Sequence, residues 1–148
     1  MYLTAIIDWY SRFIVGWSLS DTLETAPVLA ALKEAIERYG IPAIINSDQG
    51  SQFTSDEYTE YLKSMGIWQS MDGKDRWVDN VIIERWFRSL KTEEIYISCY
   101  QRPRKLRNGI KEYIRKYNFE RPHSSLNDER PVIAYSAKFT PQETVRVA

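Results

Sequence analysis

The chain has 148 residues, 43% of them hydrophobic, with 20 Lys/Arg against 20 Asp/Glu; that is apolar enough for one cored domain and too apolar for a disordered chain. No apolar run reaches the length of a membrane span, and the N-terminus lacks the charged-then-apolar layout of a secretory signal, so a soluble, cytoplasmic protein with no membrane partner is expected. Cys99 is the only cysteine and His123 the only histidine, which excludes an intrachain disulfide and a cysteine- or histidine-based zinc site.

The β-rich runs MYLTAIID and RFIVGWSLS, joined by Trp9-Tyr10-Ser11, predict an antiparallel hairpin. From Pro27 to Tyr39 the period turns helical: Leu29, Leu32, Ile36 and Tyr39 share a face, and Gly40 supplies the stop. The short apolar run AIINSD is a strand that delivers Asp48. Ser55 can cap a helix running to about Met65 and ended by Gly66, and IWQSM reads as another strand. DGKDRW has no apolar period and reads as a loop before a helix capped by Asp79. A further helix spans roughly 102–118, and Pro122, Pro131 and Pro141 punctuate an extended tail. The expected division is a core over 1–122 and a C-terminal tail over 123–148.

The zero net charge conceals an asymmetry. Residues 1–72 carry 4 Lys/Arg against 10 Asp/Glu, and residues 73–148 carry 16 against 10. Much of the basic excess lies in 102–116, where Arg102, Arg104, Lys105, Arg107, Lys111, Arg115 and Lys116 face only Glu112. Such a division suits cations at one end and nucleic-acid phosphates at the other, with an ordinary solvated helix face as the alternative.

Asp48 and Glu84 are separated by 35 residues. An Asp where a buried strand meets a loop, with a Glu projecting from a helix, is how an open α/β sheet brings two hard oxygen ligands to one cleft. The chemistry this suggests is metal-assisted attack on a phosphodiester. At 100° per residue, Arg88 falls about 40° and Lys91 about 20° from Glu84, while Ile82, Ile83, Trp86, Phe87 and Leu90 take the opposite side. The alternative is an exposed Glu84–Arg88 pair one turn apart.

NSDQGSQFTS, the 35-residue gap and DNVIIERWFRSLKTEEIY resemble the second and third acidic blocks of the Asp-Asp-Glu transposases of bacterial insertion sequences, which share the retroviral integrase core. AIIDWYSRFIVGW resembles that family's second and third strands, and YNFERPHSSLNDERPVIAY its Tyr-Asn, Arg-Pro-His and downstream Pro pattern. The resemblance implies an α/β, ribonuclease H-like mixed sheet flanked by helices, and DNA cleavage and strand transfer in transposition with two Mg²⁺ or Mn²⁺ ions. It makes Asp48 and Glu84 the catalytic metal ligands. Arg88 and Lys91 would hold DNA phosphates, and Gln49, Gly50 and Ser51 would shape the backbone beside the scissile bond. DNA, as transposon ends and target, would be the partner, and the complete protein a homo-oligomer. His123 is assigned no catalytic role.

One element of the family pattern is not matched: the first Asp, on a strand preceding MYLTAIID. Asp8 matches the end of the second strand instead, and reads with Arg12 as hairpin-turn chemistry. The expected sheet therefore lacks its first, central strand, leaving two strand edges to face a gap or to pair with another chain. Two functions follow as alternatives, a transposase catalytic core or a non-catalytic DNA-binding or oligomerisation remnant, with another ribonuclease H-like nuclease as a third.

Overall fold

The computed structural model describes residues 1–71 and 81–137 and the backbone of 144–147. Tyr2–Asp8 (β1) and Ile14–Ser20 (β2) form the expected antiparallel hairpin, in register from Tyr2↔Ser20 to Ile7↔Ile14, with a slip between Ile6 and Ile7. Its connection also takes in Arg12 and Phe13. The Asp8 carbonyl accepts from the Arg12 N–H at 2.8 Å, and Arg12 sits in the left-handed region at φ 63°. Asp8 is 1% exposed, and its Oδ2 accepts from the Ser11 N–H and hydroxyl. These bonds close the turn, as expected for Asp8.

Thr25–Tyr39 (α1) begins two residues before Pro27 and stops at Gly40, φ 93°. It lies close against β2 because Gly16 has no side chain: a Cβ there would sit 3.1 Å from the Ala31 carbonyl oxygen and 3.2 Å from the Ala35 Cβ. Ile44–Ser47 (β3) is followed by Ser51–Thr54 (α2) and Asp56–Ser64 (α3). Ser55 caps α3 by accepting from the Tyr58 N–H, and Trp68–Met71 (β4) runs parallel to β3. DGKDRW and the Asp79 cap lie outside the described residues. Val81–Leu90 (α4) continues through a wider π-type turn, Lys91–Ile95, into Tyr96–Ser98 (α5), and Pro103–Phe119 (α6) follows.

The C-terminal segment departs from the extended tail expected of it. Ser124–Leu126 forms a 3-10 turn, Pro131–Ser136 (α7) is helical with Pro131 in its first turn, and Thr144–Val147 (β5) is a strand. The sheet order is β2-β1-β5-β3-β4. β5 runs antiparallel to β1, from Ile6↔Val147 to Asp8↔Val145, and parallel to β3, from Ile44↔Thr144 to Asn46↔Arg146. The central position expected to be vacant is therefore filled by the chain's own C-terminal strand. A vacancy would leave backbone donors and acceptors of both β1 and β3 unpaired, and the β-branched residues of TVRV suit a strand that supplies them.

Both faces of the sheet are covered, which is why Thr4 through Asp8 are all buried. Ile6, Phe13, Val15 and Ile45 pack with α1 and α3 on one side. Ala5, Ile7, Ile14 and Leu19 pack with Ile83, Trp86 and Leu90 of α4 and Ile110, Ile114 and Tyr117 of α6 on the other. Asn118 fastens α6 to the edge of β2: its Oδ1 accepts from the Ile14 N–H at 2.9 Å and its Nδ2 donates to the Ile14 carbonyl at 3.0 Å. Among the described residues no helix is long and apolar enough to cross a membrane.

Candidate active site

Asp48 follows the last residue of β3, at the carboxyl end of a parallel strand pair where loops diverge and ligands have room. Its Oδ1 accepts from the Gly50 N–H at 2.8 Å, which turns the chain toward α2. Gly50 permits this closeness, since a Cβ would lie 2.9 Å from both the Asp48 Oδ1 and the Gln52 Oε1. The second Asp48 oxygen has no hydrogen bond among the described residues.

Glu84 projects from the first turn of α4, exposed, because Ile83, Trp86 and Leu90 commit the opposite side of that helix to the core. No ion pair joins Glu84 to Arg88 among the described residues, so the exposed pair one turn apart is not formed. Asp48 and Glu84 instead line one cavity of about 590 Å³, together with Lys91. Its remaining wall is largely apolar, with Leu3 and Leu19 from the hairpin, Phe87 and Leu90 from α4, and Leu106 and Ile110 from α6. In the sequence these residues read only as core; their spacing carries no sign of a cavity between hairpin and helices.

Arg88 is exposed one turn beyond Glu84, outside the cavity wall. Gln49 and Ser51 are exposed on either side of Gly50 and are also outside the wall, with Ser51 opening α2. The structure thus brings together Asp48, Glu84 and Lys91, and sets Arg88, Gln49 and Ser51 on the surface nearby in sequence. Part of the basic cluster on α6 is engaged within the chain. Arg107 donates to the Leu19 carbonyl at 2.6 Å, and Arg115 pairs with Glu112 at 2.8 Å and Glu120 at 3.1 Å.

Two carboxylates with unengaged oxygens are a hard-oxygen donor set, suited to Mg²⁺ or Mn²⁺ with water filling the other positions. No cluster of three or more His, Cys, Asp or Glu exists among the described residues. The strand between β1 and β3 reads Thr-Val-Arg-Val and carries no carboxylate. Asp48 and Glu84, from the end of β3 and from α4, are the carboxylates on this cavity wall, and the described residues supply no third acidic ligand.

Two matches to the integrase core domain family span residues 1–76 and 65–131. The transposase for insertion sequence element IS904 of Lactococcus lactis is 34% identical over 134 residues, covering 88% of this chain and 53% of that protein. The putative transposase InsK for IS150 of Escherichia coli is 29% identical over 144 residues, covering 96% and 51%. The chain spans about half the length of these relatives. Among solved structures, the HTLV-2 integrase catalytic core domain in complex with magnesium superposes with a TM-score of 0.69 at 22% identity, over 88% of this chain and 82% of that one. A simian T-cell lymphotropic virus intasome gives 0.79 at 19% identity, over 95% and 50%. At these identities the likeness is one of fold.

Proposed function

This chain belongs to the integrase core domain family, with insertion-sequence transposases among its relatives, and from that premise we propose that it is the catalytic-core portion of a transposase that cuts and joins DNA with a divalent metal. The observation that carries this reading is the convergence of Asp48 and Glu84, 35 residues apart in the chain, on one cavity. Asp48 and Glu84 would hold Mg²⁺ or Mn²⁺, which when bound lowers the cost of attack on a phosphodiester by activating the nucleophile and neutralising charge on the leaving oxygen. The Gly50 N–H fixes one Asp48 oxygen and leaves the other for the cation. Lys91, in the same cavity, and Arg88, one turn along α4 from Glu84, would hold phosphates of the bound strand. Gln49 and Ser51 would border the scissile position. The apolar wall would limit water beside the reacting phosphate.

Transposon ends and target DNA are the proposed substrates, in a cytoplasmic homo-oligomer. The fold's similarity to an intasome chain supports assembly, and the magnesium in the HTLV-2 relative supports the choice of metal. A second reading, a DNA-binding remnant without catalysis, is favoured by one observation: the described residues offer no third carboxylate.

Mn²⁺ titration followed by calorimetry, alongside strand transfer on labelled terminal repeats, separates the two. The catalytic reading expects saturable Mn²⁺ binding, weakened on the order of a hundredfold or more in Asp48→Asn and Glu84→Gln, comparable to or beyond the cost of losing supporting shell residues. It also expects product that depends on both carboxylates. DNA binding with no cleavage, indifferent to Asp48→Asn, selects the remnant.

A further inference from the structure

The flank of α4 turned away from Glu84 lines a second cavity, of about 250 Å³, to which neither the metal reading nor the sequence motifs assign a role. Its wall takes Arg85 and Ser89 from α4, Arg12 from the hairpin turn, and Arg121, His123, Ser124 and Ser125 from the segment after α6. Among the described residues no carboxylate lines it. Three guanidiniums from three separate parts of the chain thus converge on a small concave space, although like charges repel unless an anion lies between them.

The partners of these side chains sharpen the point. Arg121 is held by Glu93, with its Nη2 donating to Oε1 at 2.9 Å, so that arginine is fixed in position. Arg12 is half-buried and its Nη1 donates to the Trp9 carbonyl. Arg85 has no hydrogen bond or ion pair among the described residues, and its charge is felt by Arg12 and by His123. Burial first, and then the fields of Arg12, Arg121 and Arg85, hold the His123 imidazole below its ordinary range. The Arg12 guanidinium is likewise lowered, chiefly by burial and to a smaller degree by Arg85, against the opposing influences of Tyr117 and Asp8. His123 Nδ1 accepts from the Ser125 backbone N–H at 3.3 Å. A backbone N–H can only donate, so the proton of the neutral ring is on Nε2, leaving a second N–H donor.

We propose that this cavity is a phosphate-binding site, in which Arg85, with Arg12, Arg121, His123 and the Ser124 hydroxyl, takes a phosphate oxyanion. The donors outnumber what the two oxygens of a carboxylate can accept, and planar guanidiniums match the oxygens of phosphate in pairs. The phosphate can belong to a nucleic-acid backbone or be free inorganic phosphate. The first source rests on the proposed action on DNA, whereas the second is independent of it. A DNA strand held here would be gripped on the opposite flank of the helix that carries Glu84.

The test compares wild type, Arg85→Ala and Asp48→Asn. In 10 mM inorganic phosphate against chloride at matched ionic strength, wild type and Asp48→Asn are expected to melt about 2–4 °C higher, and Arg85→Ala to show no shift. With a fluorescent 20-base-pair duplex in 50–200 mM KCl, Arg85→Ala is expected to bind more weakly and to flatten the slope of log affinity on log salt by about one. A lost phosphate response with an unchanged slope assigns the site to free phosphate, and a flattened slope without a phosphate response assigns it to DNA. If Arg85→Ala matches wild type in both measurements, the proposal is overturned. Retention of the Arg85 effects in Asp48→Asn separates this site from the metal reading, which fails on Mn²⁺ binding alone.

Discussion

His123 shows how one residue's setting becomes a property of the whole chain. Burial and three arginines disfavour its protonated form in the folded state. The unfolded chain therefore takes up the proton first as pH falls, and stability declines from about pH 6.5, the ordinary value, until the depressed folded value is passed. Glu93 has the opposite origin and a separate window. The hydrogen bond from Arg121 lowers its pKa below the ordinary 4.5, so its stabilisation is present above that pH and is lost on further acidification. Melting temperature measured from pH 7.5 down to pH 5 should fall more steeply in wild type than in His123→Gln. Identical slopes would mean that the imidazole is not held in its neutral form. Because the chain has a single histidine, the assignment is direct.

Among the elements, α4 divides its circumference three ways. Ile83, Trp86 and Leu90 bind it to the core, Glu84 and Phe87 face the larger cavity, and Arg85 and Ser89 face the smaller one. Leu90 is 0% exposed among Ile110, Ile114 and Tyr117. Leu90→Ala should cost about 2–5 kcal/mol in urea unfolding, and it should weaken Mn²⁺ binding as well, because the helix that positions Glu84 loses its anchor. α1 and β2 depend instead on closeness. Gly16→Val places branched carbons where even a Cβ would press on the Ala31 carbonyl and Ala35, and should cost about 1–3 kcal/mol. A Gly16→Val variant as stable as wild type would show that α1 can move away from the sheet without penalty.

For the molecule as a whole, the decisive feature is the strand at the centre of the sheet. β5 joins the hairpin to the parallel pair β3-β4, and among the described residues no other strand contacts both. Deleting residues 142–148 should remove enough ladder bonds to cost about 5 kcal/mol or more, comparable to the net stability of many domains. Circular dichroism melts and light scattering on a truncated chain should show a much lower transition, or association through the uncovered edges. An unchanged melt from a monomer would show that β5 contributes nothing to the sheet.

Much of this was legible in the residues because it depends on local pattern. The β-rich runs on either side of Trp9-Tyr10-Ser11 located the hairpin, helical period located α1, and rotation about the axis placed Glu84 opposite Ile83, Trp86 and Leu90. The family blocks likewise pointed to a ribonuclease H-like sheet, the fold shared with the integrase cores. The helical turn at Pro131 and the strand at Thr144 were not legible, since their short segments gain order from the surfaces they meet. The same holds for the phosphate cavity: Arg12, Arg85 and Arg121 are distant in sequence, and only the packing of hairpin, α4 and α6 makes them neighbours. By itself the sequence determined which residues are apolar, where the hairpin and the longer helices lie, and which carboxylates are available. Tertiary structure alone decided which strand fills the centre of the sheet and which charges share a cavity, because backbone pairing and electrostatic fields act between groups close in space, however far apart they lie along the chain.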